Sequence, residues 1–180
     1  PLVILKDNKI SSQNIGVSFD TGTIALLTGN EITGTNTAAL AINRGAGIIN
    51  LGDITDNNPD NNGGNTFTCG IKRLTNGPYG PLPTPGYYSV INFSPKNIKA
   101  EGNSWKDSTG QTIVDCLEID KLIYDDEEDL LSGFVDYNSP PIINNLRVEN
   151  WPTRISYVSD TTPRIIWDYF DYENNPQHNY

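Results

Sequence analysis

From Thr66 onward, apolar and polar side chains alternate with the two-residue period of a half-buried strand. In TFTCGIKRL, Phe67, Cys69 and Ile71 fall on one side, and Thr66, Thr68 and Lys72 on the other. A proline-rich approach, NGPYGPLPTPG, leads into a strand carrying Tyr87, Tyr88, Val90, Ile91 and Phe93. WKDSTGQTIVDCLEIDKLIY reads as a hairpin around Ser108-Thr109-Gly110 that continues as one long strand from Thr112 to Tyr124. Earlier residues repeat the theme in shorter runs. IGVSFDTGTIALLTGNEIT breaks at Asp20-Thr21-Gly22 and again at Thr28-Gly29-Asn30, both turn signals. Leu40 and Ile42 then flank Ala41, and Ile48, Ile49 and Leu51 follow a Gly-Ala-Gly stretch. Such spacing suits a regular winding of short strands, as in a β-helix or an interlocked fibre, and it suits a sandwich equally.

No window of a dozen residues carries the i, i+3, i+4, i+7 stripe of an amphipathic helix. Asn, Gly, Asp, Thr and Pro interrupt the chain throughout, and each disfavours helix: Asn and Asp bond their own backbone, Gly opens positive φ, and Pro lacks a donor. The expectation is therefore an all-β protein, with a β-sandwich-like domain over residues 1–137. Ser139-Pro140-Pro141 marks a stiff linker at 138–141, and a second unit follows over 142–180.

That second unit alternates clearly from Pro163 to Phe170, with Trp167 at the centre of the strand. A polar turn, Asp171 to Pro176, then leads into Gln177, His178, Asn179 and Tyr180. Two strands alone cannot bury Trp167, Tyr169 and Phe170, because isolated hairpins are marginal in water. The missing strands are expected from further residues or from another chain, and Trp167 is expected to be a core anchor.

Charge narrows the partners. The 180 residues carry a formal net charge of −10 and no basic cluster, so phosphate backbones would be repelled and no nucleic-acid partner is expected. Nowhere does an apolar run reach the roughly 20 residues that a membrane helix needs, so no membrane span is expected. Cys69 and Cys116 are too few for a disulfide scaffold. They suit buried thiols or one pair, and stability is not expected to depend on a bond between them.

Chemistry-bearing groups are sparse. In GDITDNNPDNNGGN, the side chains of Asp56, Asn58 and Asp60 recur at every second position, as oxygen ligands in calcium loops do. Asn61 stands where such a loop turns on Gly, and no Glu closes it, so a solvated Asx-rich turn competes with the calcium reading. The acidic run Asp125 to Asp129 reads as a solvated turn or short helical turn, with a metal or basic-partner site as its alternative. His178 is the sole histidine, which argues against a histidine zinc site or a Ser-His-Asp triad. No enzyme is expected, and no cofactor beyond the candidate calcium. Trp105, Tyr79, Tyr87 and Tyr88 flank loops and are candidates for stacking on sugar rings, with core packing as their alternative fate.

Two stretches resemble known families. The order YGPLPTPGYYSVINF, polar loop, Trp105, then GQTIVD and an apolar LIY is similar to modules near the receptor-facing ends of tailed-phage tail fibres and baseplate appendages. The likeness spans residues 66–124; the Arg and paired Trp usual after the last strand of such modules are replaced here by YDDEEDLLSGF. PPIINNLRVENWP and VSDTTPRIIWDYFDYENNPQHNY resemble the opening strands of a fibronectin type III or immunoglobulin-like domain. Thr162, Pro163, Ile165, Trp167, Asp171, Gln177 and Tyr180 occupy its pattern. Together these resemblances imply an oligomeric virion structural protein acting in assembly, display and host attachment. Its implied partners are copies of itself, other virion proteins and cell-surface glycan. A subunit or adhesin of a bacterial or archaeal extracellular filament is the leading alternative. A carbohydrate-binding accessory module of a secreted enzyme is the third.

Overall fold

The computed structural model describes residues 1–34, 36–55, 58, 60–137, 142–148 and 165–170. The chain winds in coils of three short strands. The first coil holds β1 (Leu2–Lys6), β2 (Lys9–Ser12) and β3 (Ile15–Phe19), and the second holds β4 (Ile24–Thr28), β5 (Glu31–Gly34) and β6 (Ala38–Ile42). In the third, β7 (Ile49–Gly52) and β8 (Thr66–Thr68) are followed by an inserted hairpin, β9 (Leu74–Gly77) and β10 (Gly80–Gly86), before β11 (Val90–Asn92). The fourth contains β12 (Ile98–Ala100), β13 (Ser104–Lys106), β14 (Thr112–Ile113), helix α1 (Cys116–Asp120) and β15 (Ile123–Tyr124), and β16 (Val135–Asp136) begins a fifth.

Corresponding strands stack in parallel into three sheets: β1-β4-β7-β12-β16, β2-β5-β8-β13 and β3-β6-β11-β15. β14 closes the second sheet antiparallel to β13. Residues 1–137 thus form a parallel β-helix, and the β-sandwich expectation for them is corrected. The all-β class holds: strands dominate, with one short helix among the described residues. Alternation is common to both architectures, because each strand buries one face in either. What separates them is the pairing partner, which here lies one coil away and runs parallel.

Inward side chains stack in register and fill the coil. Ile10, Ile32, Phe67 and Trp105 form one column on the second sheet, and Val17, Leu40, Val90 and Ile123 form another on the third. Both belong to a single core cluster that also takes Leu27, Ile49, Leu51 and Ile98. The small residues Gly45 to Gly47 sit between β6 and β7, both of which contribute to this core.

One strand expectation fails for a local reason. Between Thr112 and Tyr124 the chain forms β14, α1 and β15 rather than a continuous strand. The Asp115 carboxylate accepts the backbone N–H groups of Leu117 and Glu118, an N-cap that satisfies donors orphaned at a helix start. Ile71, expected beside Phe67 and Cys69, is exposed, because β8 ends at Thr68.

Beyond the β-helix, β17 (Ile142–Val148) and β18 (Ile165–Phe170) pair antiparallel, with Ile142 opposite Phe170 and Val148 opposite Ile165. The linker at 138–141, the motif residues Thr162, Pro163, Asp171, Gln177 and Tyr180, and the environment of the Trp167 side chain lie outside the described residues.

Candidate binding cleft on the third sheet

The outward row of the third sheet is Ser18, Ala41, Ile91 and Tyr124, each opposite the next across adjacent strands. A row that becomes apolar needs cover, and the inserted hairpin supplies it. Leu82 of β10 packs with Ala38, Tyr88, Ile91, Phe93 and Tyr124 in a second core cluster, with Leu74 of β9 against it. This is why all five residues of β6 are buried while most strands alternate. Gly77 allows the close approach: a Cβ there would lie 2.8 Å from Phe93 Cζ and 3.1 Å from Leu82 Cδ2.

The hairpin turns at Pro78-Tyr79, and its tip is held from below. Tyr79 Oη accepts the Arg44 backbone N–H at 2.9 Å. The Tyr79 ring meets Phe93 edge-on, with centroids 5.6 Å apart, and the Arg44 guanidinium carbon lies 4.5 Å from the Tyr79 centroid. That places a cation over an aromatic face, an attraction of about 0.5–1 kcal/mol at an exposed position.

Two hollows flank the hairpin and share Gly77 and Phe93 as walls. One, of about 260 Å³, is bounded by Ser18, Asn43, Asn76, Pro78 and Ile91. Asn43 Nδ2 donates to Asp20 Oδ1 at 2.7 Å and to Ser18 Oγ at 3.1 Å, which arrays polar groups along its rim. The other, of about 210 Å³, is bounded by Arg44, Tyr79, Pro81, Leu82, Tyr124 and Asp129. Tyr124 Oη lies 3.5 Å from Asp129 Oδ2; burial, followed by the Asp129 charge, pushes the phenol up to about 12. The phenol is therefore a neutral donor at physiological pH. Neutral donor, carboxylate, guanidinium and apolar walls together suit a small polar ligand with one apolar face.

The four aromatic candidates separate. Tyr79 lines the cleft and is 47% exposed, and Tyr87 is exposed nearby in sequence. Trp105 is 2% exposed, packed on Phe67 and Tyr137 in the interior, so its ring is withdrawn from sugar stacking. Tyr88 is also buried; its hydroxyl donates to the Thr84 carbonyl at 2.6 Å and its ring meets Tyr124 edge-on at 5.3 Å. Burial shifts its pKa upward. The sequence signal, an aromatic beside a turn, could not distinguish the inward from the outward side of a coil.

Of the calcium candidates, Asp60 Oδ1 lies 3.5 Å from Lys6 Nζ and its backbone N–H donates to Asn58 Oδ1 at 3.1 Å. That is Asx-turn geometry with a surface ion pair. Asp56 lies outside the described residues. Among the described residues no group of three His, Cys, Asp or Glu side chains is arranged to hold a metal. Cys69 is a buried thiol whose pKa burial pushes up to about 11, which suppresses nucleophilic character; Cys116 is partly buried at the start of α1.

The acidic run is not uniformly solvated. Asp125 is 4% exposed, and its carboxylate accepts the N–H of Val135 at 2.8 Å and of Glu127 at 3.1 Å. It organises the turn into the fifth coil, and burial holds its pKa above the usual carboxylate range. Arg44 carried no functional signal in sequence, and Asp129 carried one only as part of the acidic run. Arg44 sits in an ordinary Asn-Arg-Gly turn, and only the insertion of the hairpin brings it beneath Tyr79.

These features define a parallel β-helical protein with a hairpin-roofed cleft on one lateral face. No family model, curated protein or solved structure matches the chain. Among the described residues no helix is long and apolar enough to cross a membrane.

Proposed function

We propose that the chain is a structural component of a tailed-phage virion, in a tail fibre, baseplate or neck, working through assembly, display and attachment to cell-surface glycan, without catalysing a reaction. The supporting observation is the shape of the first coil. Its inward residues Val3, Leu5, Ile10 and Val17 are only partly buried, and among the described residues no strand pairs with the outer edges of β1, β2 or β3. Solenoids stabilise each coil through its neighbours, and open edges are a template for further strands. A coil with such open edges suits stacking against further coils, whether of the same chain, of copies of it or of other virion proteins. In the same reading β17 and β18 open a fibronectin type III-like domain, for which antiparallel pairing is the required geometry.

Open edges equally favour the second reading, a subunit of an extracellular filament joined by strand addition. Immunogold electron microscopy with antibodies against residues 1–137 separates the two. Labelled virion tails support the first reading, and labelled cell-surface filaments move the chain to the second. A monodisperse, folded monomer in light scattering, with neither structure labelled, overturns both.

A further inference from the structure

We propose that the hollow bounded by Arg44 and Asp129 binds one acidic sugar residue, its carboxylate on the Arg44 guanidinium and a hydroxyl on the Asp129 carboxylate. This deepens the attachment part of the proposed function, and its failure would leave the assembly part standing.

Three observations carry the assignment. First, Arg44 is exposed, and among the described residues no carboxylate oxygen lies within 4.0 Å of it to form an ion pair. The Tyr79 ring packed against it limits its orientations, and its planar two-donor fork lines the hollow. Such a fork matches a carboxylate bidentately. On a chain of net charge −10, general attraction of anions is unfavourable, and a local cation is needed to hold one.

Second, Asp129 has acceptor capacity left over. Its Oδ1 takes the Leu131 N–H at 3.0 Å, and its Oδ2 faces the Tyr124 hydroxyl at 3.5 Å. A carboxylate offers about four lone-pair sites, so ligand hydroxyls can still donate to it. The Asp129 charge disfavours a second anionic group, whereas Arg44 and Asp129 together suit a ligand with one carboxylate and several hydroxyls.

Third, the remaining walls, Pro81, Leu82, Pro83 and Phe93, are apolar. They offer a surface to the C–H face of a pyranose ring. The volume of about 210 Å³ lies below the range of about 300–1,000 Å³ typical of drug-sized sites, which limits the occupant to a single ring of a longer glycan.

Saturation-transfer NMR on the full 180-residue chain tests this with D-glucuronate, D-glucose and acetate at equal millimolar concentrations. The expected result is clear transfer to glucuronate, several-fold weaker transfer to glucose and acetate, and loss of the glucuronate signal in Arg44→Ala. Arg44→Lys should retain a reduced signal, because the charge survives and the fork does not. Asp129→Asn should lower glucuronate transfer while leaving its preference over glucose, since the carboxylate contact persists. Arg44 is exposed and its side chain contacts the Tyr79 ring, so Arg44→Ala should lower the melting temperature only slightly and stay folded by its amide spectrum, and loss of signal then reports binding. Absent transfer to glucuronate, equal transfer to all three probes, or an unchanged signal in Arg44→Ala would each overturn the assignment.

Discussion

Asn65 Oδ1 accepts both nitrogens of Asn30, the backbone N–H at 3.0 Å and the side-chain amide at 2.9 Å. The pattern repeats one coil further, where Asn103 Oδ1 accepts the backbone and side-chain nitrogens of Asn65, each at 2.9 Å. Asn8 makes the same two bonds to Asn30 Oδ1 at the first coil. The four residues form a ladder at the corner between the first and second sheets. There the chain turns and its carbonyls lose strand partners. Asn65 Nδ2 answers two of them, Leu27 O at 2.9 Å and Leu51 O at 2.8 Å. One short amide side chain serves both neighbouring coils, which Asp or Ser could not do with the same donor set.

Replacing Asn65 with Ala should therefore lower unfolding free energy by about 3 kcal/mol or more, because several buried groups lose partners at once and each orphan costs about 1–3 kcal/mol. Asn8→Ala, at the exposed end of the ladder, should cost less than about 1 kcal/mol. Urea titration of both variants checks the contrast. Equal losses would mean that the ladder does not act through buried satisfaction.

Trp105→Ala should destabilise by about 3–5 kcal/mol, the usual cost of truncating a buried large ring. Its ring lies 5.3 Å from that of Phe67 and 6.2 Å from that of Tyr137, so the deletion opens a cavity between two coils. A midpoint within error of the wild type would place the ring outside the core.

Gly34→Ala should be among the most damaging single-methyl changes. A Cβ at that position would overlap the Ala38 carbonyl oxygen, and its nearest neighbours are all backbone atoms of Ala38 and Ala39, so no flexible side chain can give way. The expected loss is at least the roughly 1–3 kcal/mol seen for overpacking, read as a lowered melting temperature. Gly110→Ala has open space around it and a positive φ of 87°, so it should show only the smaller backbone penalty.

Glu128 gives a pH test. Burial is the main cause that raises its pKa, with repulsion from Asp125, Asp120 and Glu127 adding to it. A carboxyl whose folded pKa lies above the unfolded value binds more protons in the folded state, so its contribution to stability is lost as pH rises through the folded pKa. Glu128→Gln keeps an acceptor for the Asp125 N–H, which the Glu128 carboxylate now takes at 3.1 Å. The variant should be more stable than the wild type at neutral pH, by an amount that solvent screening keeps small. That advantage should shrink on acidification and vanish below the ordinary Glu range. Thermal melts from pH 7 to about pH 3.5 follow the difference; a constant offset would contradict it.

What the sequence by itself determined were the local events. The breaks at Asp20-Thr21-Gly22 and Thr28-Gly29-Asn30 separate β3 from β4 and β4 from β5, since turn residues act on their own backbone. Ser108-Thr109-Gly110 does reverse the chain between β13 and β14. Phe67 and Cys69 do face inward together. The parallel winding was decided only by tertiary structure, because the coils are unequal. Successive rungs of the ladder stand 22, 35 and 38 residues apart, so no fixed period marks Asn8, Asn30, Asn65 and Asn103 as equivalent. The cleft was hidden for the same reason: Arg44 and Tyr79 are 35 residues apart and meet only when the hairpin inserted after β8 folds back over the third sheet. Asp115, too, read as one more polar position in a strand until its carboxylate capped α1. Two-residue alternation states that one face of a strand is buried, but not which strand lies beside it; that is set by which edges can pair while the inward columns close-pack.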